Sequence, residues 1–307
     1  MPGPRVSVII PTYNREHMVI EAIQSVLNQT FQDFELIVVD DGSTDDTSVK
    51  MLPYTACLTY HIQKNRGVAA ARNAGIRLSK GEFICFLDSD DLWEPTKLET
   101  QVHFADAHPE YALISTEIHG FDAGKKSFGR SKSTMYEIRN GFVAEHLLFG
   151  NWIQTSTVML RRRCLDEVGW FDEDVGQFGE DWLLWMRVAC TFPIYFLPQS
   201  LVSYRFHAGR LTLYRQEEQF EALMKCLRKL SALSTFQQRP DLLREAEYRI
   251  CIHRGASNLF AGEYEHARIK FHRARKLRTL PFKPAYFLLR TAIEKTIRRR
   301  SPAQTHG

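Results

Sequence analysis

Residues 83–91 read Phe-Ile-Cys-Phe-Leu-Asp-Ser-Asp-Asp, and they constrain the fold of this chain more than any other stretch. An apolar run ends there in three carboxylates within four residues, Asp88, Asp90 and Asp91. Such runs are typical of buried strands in parallel sheets, and ligands bind just beyond the carboxyl ends of those strands. Crowded aspartates repel one another unless a cation joins them, and their oxygens suit Mg²⁺ or Mn²⁺. The alternative is a polar turn in which Asp91 caps the next helix.

This stretch is the fourth of four apolar runs that share one pattern. The runs predict strands at residues 6–10, 35–39, 58–62 and 82–87. Helical spacing between them favours right-handed βαβ units, and therefore an α/β fold with a mostly parallel central sheet. Asn14 is expected to cap the helix after the first strand, and Ser43 or Thr44 the helix after the second.

The rest of the chain is predicted to be mixed up to residue 214 and helical beyond it. Helices are predicted at residues 95–108 and 140–149 and from Gly179 onward, and strands at 111–118, 157–160 and 201–206. The Gly-, Lys- and Ser-rich stretch 120–137 is expected to be a mobile loop and a candidate lid. Four further helices are predicted at residues 217–233, 241–262, 263–278 and 284–300.

The distribution of charge also divides the chain near residue 214. Residues 1–214 contain 20 Lys and Arg against 27 Asp and Glu, whereas residues 215–307 contain 20 against 9. We therefore predict one α/β domain at 1–214 and a basic, all-helical extension at 215–307.

Composition and cysteine usage predict a cytoplasmic protein. The first predicted strand begins near the N-terminus, which leaves no room for a signal peptide, and no apolar run approaches the roughly 20 residues of a membrane-spanning helix. The six cysteines form no CxxC pair. This spacing indicates reduced thiols and no zinc site.

Six motifs in a fixed order carry a resemblance to a known family. They are VSVIIPTYNR, VVDDGSTDDT, NRGVAAARNAGI, GEFICFLDSDDLW, GEDWLLW and YRFHAG, and they run from Val6 to about Thr212. In this order the sequence resembles the inverting family 2 glycosyltransferases, which have the GT-A fold. The resemblance implies a nucleotide-sugar donor, a divalent metal (Mn²⁺ or Mg²⁺), and transfer to an acceptor hydroxyl.

The resemblance also implies which residues bind the donor. Pro11, Tyr13 and Asp41 match the residues that hold the base and ribose. Tyr13 offers an aromatic face, and Asp41 can accept a hydrogen bond from a uracil N3–H, which favours a UDP-sugar. Arg72 matches the arginine that faces the nucleotide or diphosphate, and Asp88 lies nearer the ribose. Without the resemblance, Asp41 would be a turn residue and Arg72 a solvated helix residue.

The metal and the general base are implied in the same way. Asp90 matches the metal-binding aspartate of the DxD motif, and His207 matches a histidine that completes the metal site in some relatives. Asp181 matches the aspartate that removes the acceptor proton, a task that suits a carboxylate within hydrogen-bond reach. The alternatives are a surface histidine at 207 and, at Glu180 and Asp181, acidic residues favoured at a helix N-terminus. No role is predicted for Asp91.

Two absences bear on the reaction. No QxxRW motif follows Asp181 and no membrane span follows it, which indicates transfer of one or few sugars, not extrusion of a polymer. The resemblance to the family further implies a role in cell-surface polysaccharide or glycolipid synthesis, with a glycan or lipid-linked acceptor. Trp182 or Trp185 either lines the acceptor pocket or packs in the core, and the core is favoured for Trp185.

The extension gives two further hypotheses. Small and aromatic residues over 250–281 are typical of one tetratricopeptide-type helix pair. The basic, apolar segment 284–300 either rests on an anionic membrane surface or is a solvated face, and no motif for nucleic acid accompanies it.

Two other functions, each an alternative to the transferase, predict sequence features that differ from those of this chain. A sugar nucleotidyltransferase would place a Gly-rich loop after the first strand, where this chain has Pro-Thr-Tyr-Asn. A non-catalytic nucleotide-sugar-binding protein would be expected to lack Asp90 or Asp181.

Overall fold

The computed structural model describes residues 3–122, 127–128, 132–207 and 215–277. The chain divides into two compact units, Met1–Tyr214 and Arg215–Gly307. In the described ranges, none of the helices combines the length and the apolarity needed to cross a membrane.

One mixed sheet forms the centre of the first unit. Its strands in the described residues are β1 Val6–Thr12, β2 Phe34–Asp40, β3 Thr59–Ile62, β4 Phe83–Phe86, β5 Leu92–Trp93, β6 Leu113–Asp122, β7 Ser127–Phe128, β8 Met159–Arg161 and β9 Ile194–Phe206. Their order is β3-β2-β1-β4-β8-β6-β9-β5, with β7 paired to β6. The first four are parallel, as predicted, but β8 runs antiparallel to both β4 and β6.

Helices flank this sheet and form the described part of the second unit. Those of the first unit are α1 Met18–Leu27, α2 Thr47–Met51, α3 Val68–Leu78, α4 Lys97–Ala107, α5 Lys132–Met135, α6 Ala144–Leu147, α7 Arg162–Val168 and α8 Glu180–Thr191. Those of the second unit are α9 Gln216–Leu230, α10 Ser234–Gln237, α11 Pro240–Phe260 and α12 Tyr264–Leu277.

The core explains why the apolar runs became strands. All seven residues of β1 are buried, because this strand lies between β2 and β4 and is covered by helices. A Cβ atom at Gly75 would lie 2.3 Å from Ile9 Cγ2, so only glycine lets α3 approach β1 this closely. In the second unit a Cβ at Gly255 would lie 2.6 Å from Phe271 Cε1, and this close approach joins α11 to α12.

Several local predictions were wrong. The first strand continues through Pro11 and Thr12. Asn14 adopts a left-handed conformation (φ 51) four residues before α1 and does not cap it. At α2 the N-cap is Asp46 and not the predicted Ser43 or Thr44, and the hydrogen bond to Thr47 N comes from the preceding residue, because Asp45 Oδ1 accepts from it at 3.1 Å.

The predicted helix at 140–149 shrinks to α6. Gly141 has φ 95 and forms a bridge to Ile194, and Asn140 Oδ1 accepts from Phe196 N at 2.9 Å. The start of this segment is therefore held in an extended form beside β9. In the candidate lid, residues 123–126 and 129–131 lie outside the described residues, as does the predicted helix at 284–300.

Candidate active site

The loops after β1 and β2 are held together by a pair of hydrogen bonds. Asn14 Oδ1 accepts from Thr44 N at 2.8 Å, and Asn14 N donates to Ser43 Oγ at 3.0 Å. Tyr13 lies at this junction and is 45% exposed, so its ring is open to a ligand. Pro11, in contrast, is buried inside β1 opposite Val39.

Asp41 lies in a cradle of donors just beyond β2. Its Oδ1 accepts from Gln63 Nε2 at 2.7 Å and from Arg66 N at 2.9 Å, and its Oδ2 accepts from Gly67 N at 2.8 Å. The side chain is only 5% exposed. Each carboxylate oxygen can accept two hydrogen bonds, so Oδ2 keeps capacity for one more donor. The turn itself depends on Gly42, whose φ of 79 favours glycine.

The neighbouring Asp40 has a structural role. Its Oδ1 accepts from Ser43 N at 2.8 Å and its Oδ2 accepts from the Tyr60 hydroxyl at 2.6 Å. Burial, followed by the hydrogen bond and charge of Asp40, raises the pKa of Tyr60. Asp40 therefore fixes the edge strand β3 and leaves Asp41 as the ligand-facing candidate.

The three aspartates after β4 have three different environments. Asp91 is 1% exposed, and its carboxylate accepts from Ser156 Oγ at 2.7 Å and from Arg205 N at 3.1 Å. Burial and the charges of Asp90 and Asp88 raise the pKa of Asp91 well above its usual range. Asp91 therefore ties the turn after β4 to β9 and to the 3₁₀ turn Thr155–Thr157.

Asp90 faces outward and meets a distant histidine. His207 Nε2 lies 3.0 Å from Asp90 Oδ2, although 117 residues separate them. Burial raises the pKa of Asp90, but the hydrogen bond and charge of His207 outweigh this and lower it. Arg205 supports the contact, because its Nε donates to Asp90 O at 2.8 Å.

One arginine joins Asp88 to the start of α8. Arg72, from α3, is 4% exposed; its Nη2 donates to Asp88 Oδ1 and its Nη1 to Glu180 Oε1, both at 2.7 Å. Its guanidinium carbon lies 5.2 Å from the centre of the Phe171 ring. Burial lowers the pKa of Arg72, but the charges of Asp88 and Glu180 outweigh it and raise that pKa. Burial and the charge of Asp181 raise the pKa of Glu180 to about 7, against the opposing effect of Arg72.

Asp181 is the more exposed of the two acidic residues that begin α8. The helix follows Gly179, whose φ of 80 lets the chain turn sharply into it. Asp181 Oδ2 accepts from Thr155 Oγ1 at 3.3 Å, and its Oδ1 accepts from Trp182 N at 2.6 Å. Glu180 points into the protein and Asp181 stays partly exposed.

Both tryptophans of α8 are buried. Trp185 is 0% exposed and packs against Phe86 and Phe171, which agrees with the predicted core position. Trp182 is also buried, and its Nε1 donates to Leu147 O at 3.2 Å.

Sequence reasoning missed three residues that build this site. Thr155 and Ser156 contact Asp181 and Asp91, and Arg205 contacts both Asp90 and Asp91. Arg205 lies in β9 two residues before His207, which directly follows the strand, so the spacing between this arginine and the candidate metal ligand was an available signal. The hydroxyl pair at 155–156 gave none, because only the tertiary fold brings it to this edge.

The metal-ligating side-chain atoms at this edge of the sheet suit a divalent cation. The Asp90 carboxylate and the His207 imidazole are close together and offer oxygen and nitrogen ligands, which Mn²⁺ accepts. Asp88 Oδ1 is engaged by Arg72, so Asp88 is less available than Asp90 as a ligand.

A second group with metal-ligand spacing lies in the helical unit. The ligand atoms of Glu217, Glu263 and His266 lie within 4.8 Å of one another. However, Lys270 Nζ already contacts both carboxylate oxygens of Glu217, at 2.6 and 2.7 Å. The lysine supplies the positive charge here, so this group is no counterpart of the Asp90–His207 pair.

Comparison with known proteins decides the family. The glycosyl transferase family 2 model matches residues 7–169, more than half of the chain. Escherichia coli WfaP, named as a UDP-Glc:α-D-GlcNAc-diphosphoundecaprenol β-1,3-glucosyltransferase, is 30% identical over 217 residues, or 69% of this chain and 82% of the relative. The chain belongs to glycosyltransferase family 2.

Other relatives of this transferase are longer. An uncharacterized glycosyltransferase of Rickettsia felis is 35% identical over 220 residues, which cover 68% of this chain but 34% of the relative. The chain therefore spans about a third of that relative's length.

Solved structures confirm the predicted GT-A fold of the transferase. Staphylococcus aureus TarS 1-349 in complex with UDP-GlcNAc matches with a TM-score of 0.63 at 19% identity, over 98% of this chain and 93% of the other. The mannosyltransferase PcManGT from Pyrobaculum calidifontis, in complex with GDP-Man and Mn²⁺, matches with a TM-score of 0.61 at 21% identity, over 99% and 83%.

Proposed function

We propose that this transferase moves one sugar from a UDP-sugar to a hydroxyl of a lipid-linked glycan, with inversion and with a divalent metal. The observation that carries the proposal is the bridge of Arg72 between Asp88 and Glu180. It brings the turn after β4, where a donor diphosphate would lie, beside the helix that carries Asp181. Donor-binding groups and a candidate base thus occupy one edge of the sheet.

The base and ribose would bind at the loops after β1 and β2. Tyr13 is exposed and offers a ring on which a uracil can stack. Asp41 Oδ2 keeps capacity for one more hydrogen bond, which suits the N3–H of uracil. Pro11 is buried, so its part is limited to shaping the strand beneath the base.

The diphosphate would lie between Arg72 and the Asp90–His207 pair. Asp90 and His207 would hold Mn²⁺ or Mg²⁺, and Asp88 would face the ribose. The bound metal would supply charge neutralisation for the departing nucleoside diphosphate. Arg72 is buried and permanently charged, so it can face the diphosphate without having to gain a proton.

Asp181 would take the proton from the acceptor hydroxyl. It is partly exposed at a helix start, and Thr155 orients its carboxylate. A single displacement inverts the sugar's anomeric carbon, and the base must contact the attacking oxygen as the proton leaves. Glu180 is buried behind it and is bound to Arg72, so it is not placed to contact an acceptor.

The acceptor class is proposed from a relative. WfaP is named for transfer to GlcNAc-diphosphoundecaprenol, a lipid-linked sugar. We propose an acceptor of this kind, used by a non-processive catalytic domain at 1–214 with a helical extension at 215–307. Contact of residues 284–300 with an anionic membrane stays a prediction, because that segment lies outside the described residues.

A donor-binding screen tests the proposal most broadly. Thermal shifts would be recorded with UDP-, GDP- and dTDP-sugars, each with Mn²⁺ and with EDTA. The proposal expects stabilisation by a UDP-sugar that disappears with EDTA. Equal stabilisation in EDTA would argue against a role for the metal, and preference for a GDP-sugar would argue against the uracil contact at Asp41. Preference for a dTDP-sugar would keep a pyrimidine N3–H at Asp41 and contradict only the choice of UDP.

A further inference from the structure

The Arg72 bridge holds more negative charge than it can neutralise. One guanidinium faces Asp88 and Glu180 directly, and Asp181 is adjacent to Glu180 in the chain. Three carboxylates therefore share one positive charge in a place where Arg72 and Glu180 are at most 5% exposed. Excess negative charge in such a site is relieved when one carboxylate takes up a proton.

Glu180 is the member of the bridge that is built to hold this proton. Its Oε1 accepts from Arg72, while its Oε2 is buried and has no hydrogen-bond partner among the described residues. Arg72 Nε is likewise buried without a partner there. An orphaned carboxylate oxygen is costly when charged and far less so when protonated. Asp88 and Asp181 are better solvated, since each remains partly exposed.

We propose that Glu180 is a positioning residue that binds a proton when the donor diphosphate engages Arg72, and so releases the arginine's charge to the donor. This rests on the proposed function, in which the diphosphate lies beside Arg72. While Glu180 is ionised, it competes with the diphosphate for one guanidinium. The proton comes from the buffer, is bound at Glu180 Oε2 and returns to the buffer when the nucleoside diphosphate leaves. This proton is separate from the one that Asp181 takes from the acceptor hydroxyl.

The groups that face Glu180 are Arg72 from α3, Asp88 beyond it after β4, and Asp181 in α8. An added diphosphate brings further negative charge to the same arginine and weakens its effect on Glu180. Burial and the charge of Asp181 already raise the pKa of Glu180 to about 7. Donor binding at neutral pH is therefore expected to be linked to proton uptake.

Calorimetry of donor binding at pH 7 tests this inference. The nucleotide sugar that binds most tightly in the screen is titrated into Mn²⁺-saturated protein, in two buffers that differ in ionisation enthalpy. The wild-type protein is expected to take up about half a proton more per site than Glu180→Gln, the limit for a group with a pKa near 7. Glu173→Gln is the matched control, because Glu173 pairs with Arg66 at 2.7 Å and does not touch Arg72. It should take up as many protons as the wild type.

A second measurement needs no donor. The raised pKa of Glu180 means that its contribution to stability is present at low pH and is lost as the pH rises from about 4.5 through 7. Compared with Glu180→Gln, the wild type should lose about 4 °C in melting temperature between pH 5 and pH 8.

The outcomes separate this inference from the proposed function. Equal proton uptake by wild type and Glu180→Gln, with normal binding in both, overturns the role of Glu180 alone. A melting-temperature gap that stays constant from pH 5 to pH 8 does the same. Absence of binding by the wild type to every nucleotide sugar overturns the proposed function, and the role of Glu180 falls with it.

Discussion

Arg72 and Lys97 are two of the buried cations of the first unit, and their surroundings shift their pKa values in opposite directions. Arg72 lies between two carboxylates at the edge of the candidate site, and their charges raise its pKa. Lys97, in α4, is fully buried; its Nζ donates to Gln101 Oε1 at 2.6 Å and lies 3.9 Å from the centre of the Trp93 ring. Burial lowers the pKa of Lys97 to about 8.

The difference shows where this fold requires a charge. Arg72 has carboxylate partners on two separate elements, so its loss would leave two acidic groups without a cation. Lys97 has an amide and an aromatic ring, and the described residues place no carboxylate against its ammonium. Burial therefore makes its charged form less favourable than it is in water. The first cation organises the site, whereas the second lowers the stability of the folded state.

The largest effect is expected from Arg72→Met. Removing one partner of a buried ion pair costs about 3–5 kcal/mol of unfolding free energy, because the remaining charges are stranded. The loss should be larger at pH 8 than at pH 5, since protonated carboxyls need no cation. Urea unfolding measures it. Arg66→Met is the control: its pair with Glu173 is 58% exposed on the arginine side and should contribute about 1 kcal/mol or less. Equal losses of unfolding free energy in Arg72→Met and Arg66→Met would contradict the distinction between a buried and an exposed ion pair.

A smaller effect of opposite sign is expected from Lys97→Met. A lysine whose pKa falls from 10.5 to about 8 opposes folding by about 3 kcal/mol at neutral pH. Replacing Lys97 by Met removes this unfavourable term. It also leaves Gln101 Oε1 without its hydrogen-bond donor, at a cost of about 1–3 kcal/mol. The net expectation is a protein more stable by about 1 kcal/mol, with unchanged transfer activity. A clear loss of stability would show that the Trp93 contact outweighs burial.

A third effect, about 1 kcal/mol between pH 8 and pH 9, is the pH dependence of the stability difference between the wild type and Lys97→Met. The unfolded chain keeps the Lys97 proton up to pH 10.5, whereas the folded protein releases it near pH 8. The wild type therefore gains stability relative to Lys97→Met as the pH rises through this window. Burial also raises the pKa of the Cys164 thiol, which lowers stability over part of the same range, but this contribution is common to both proteins. Burial likewise raises the pKa of Cys85 and the charge of Lys97 lowers it in part, so this thiol releases its proton at a higher pH in Lys97→Met. A stability gap that does not narrow above pH 8 would reject the neutralisation of Lys97.

Features that follow from a local sequence pattern could be predicted, whereas features that depend on distant contacts could not. Strands β1, β2 and β4 were found because each is a buried apolar run, whereas β3 is a partly exposed strand at the sheet edge. The acidic turns after β2 and β4 follow directly from these strands. The local pattern therefore located the acidic turns that contain Asp41, Asp88 and Asp90, whereas the roles proposed for these residues came from the family resemblance.

The remaining features depend on contacts between distant parts of the chain. The cradle around Asp41 joins loops that the sequence does not connect. The approach of His207 to Asp90 was expected only from the family resemblance and not from any local pattern. β9 begins at Ile194, seven residues earlier than predicted, and its pairing with β6 shifts register near Glu117. Such irregular pairing leaves no clean alternation in the sequence. The burial of Lys97 was equally invisible, since a lysine in a helix is normally read as exposed.

Single-turnover transfer by Asp181→Asn, at saturating donor with Mn²⁺, tests the central claim most directly. Asparagine keeps the size of the side chain and its contact with Thr155, but it cannot accept the acceptor's proton. Donor affinity, measured by calorimetry, should stay nearly unchanged, and transfer should fall by about 10²–10⁴-fold, or roughly 3–5 kcal/mol of transition-state stabilisation. Near-normal transfer by a folded Asp181→Asn protein would contradict the account, since Asp181 would then only favour the start of α8.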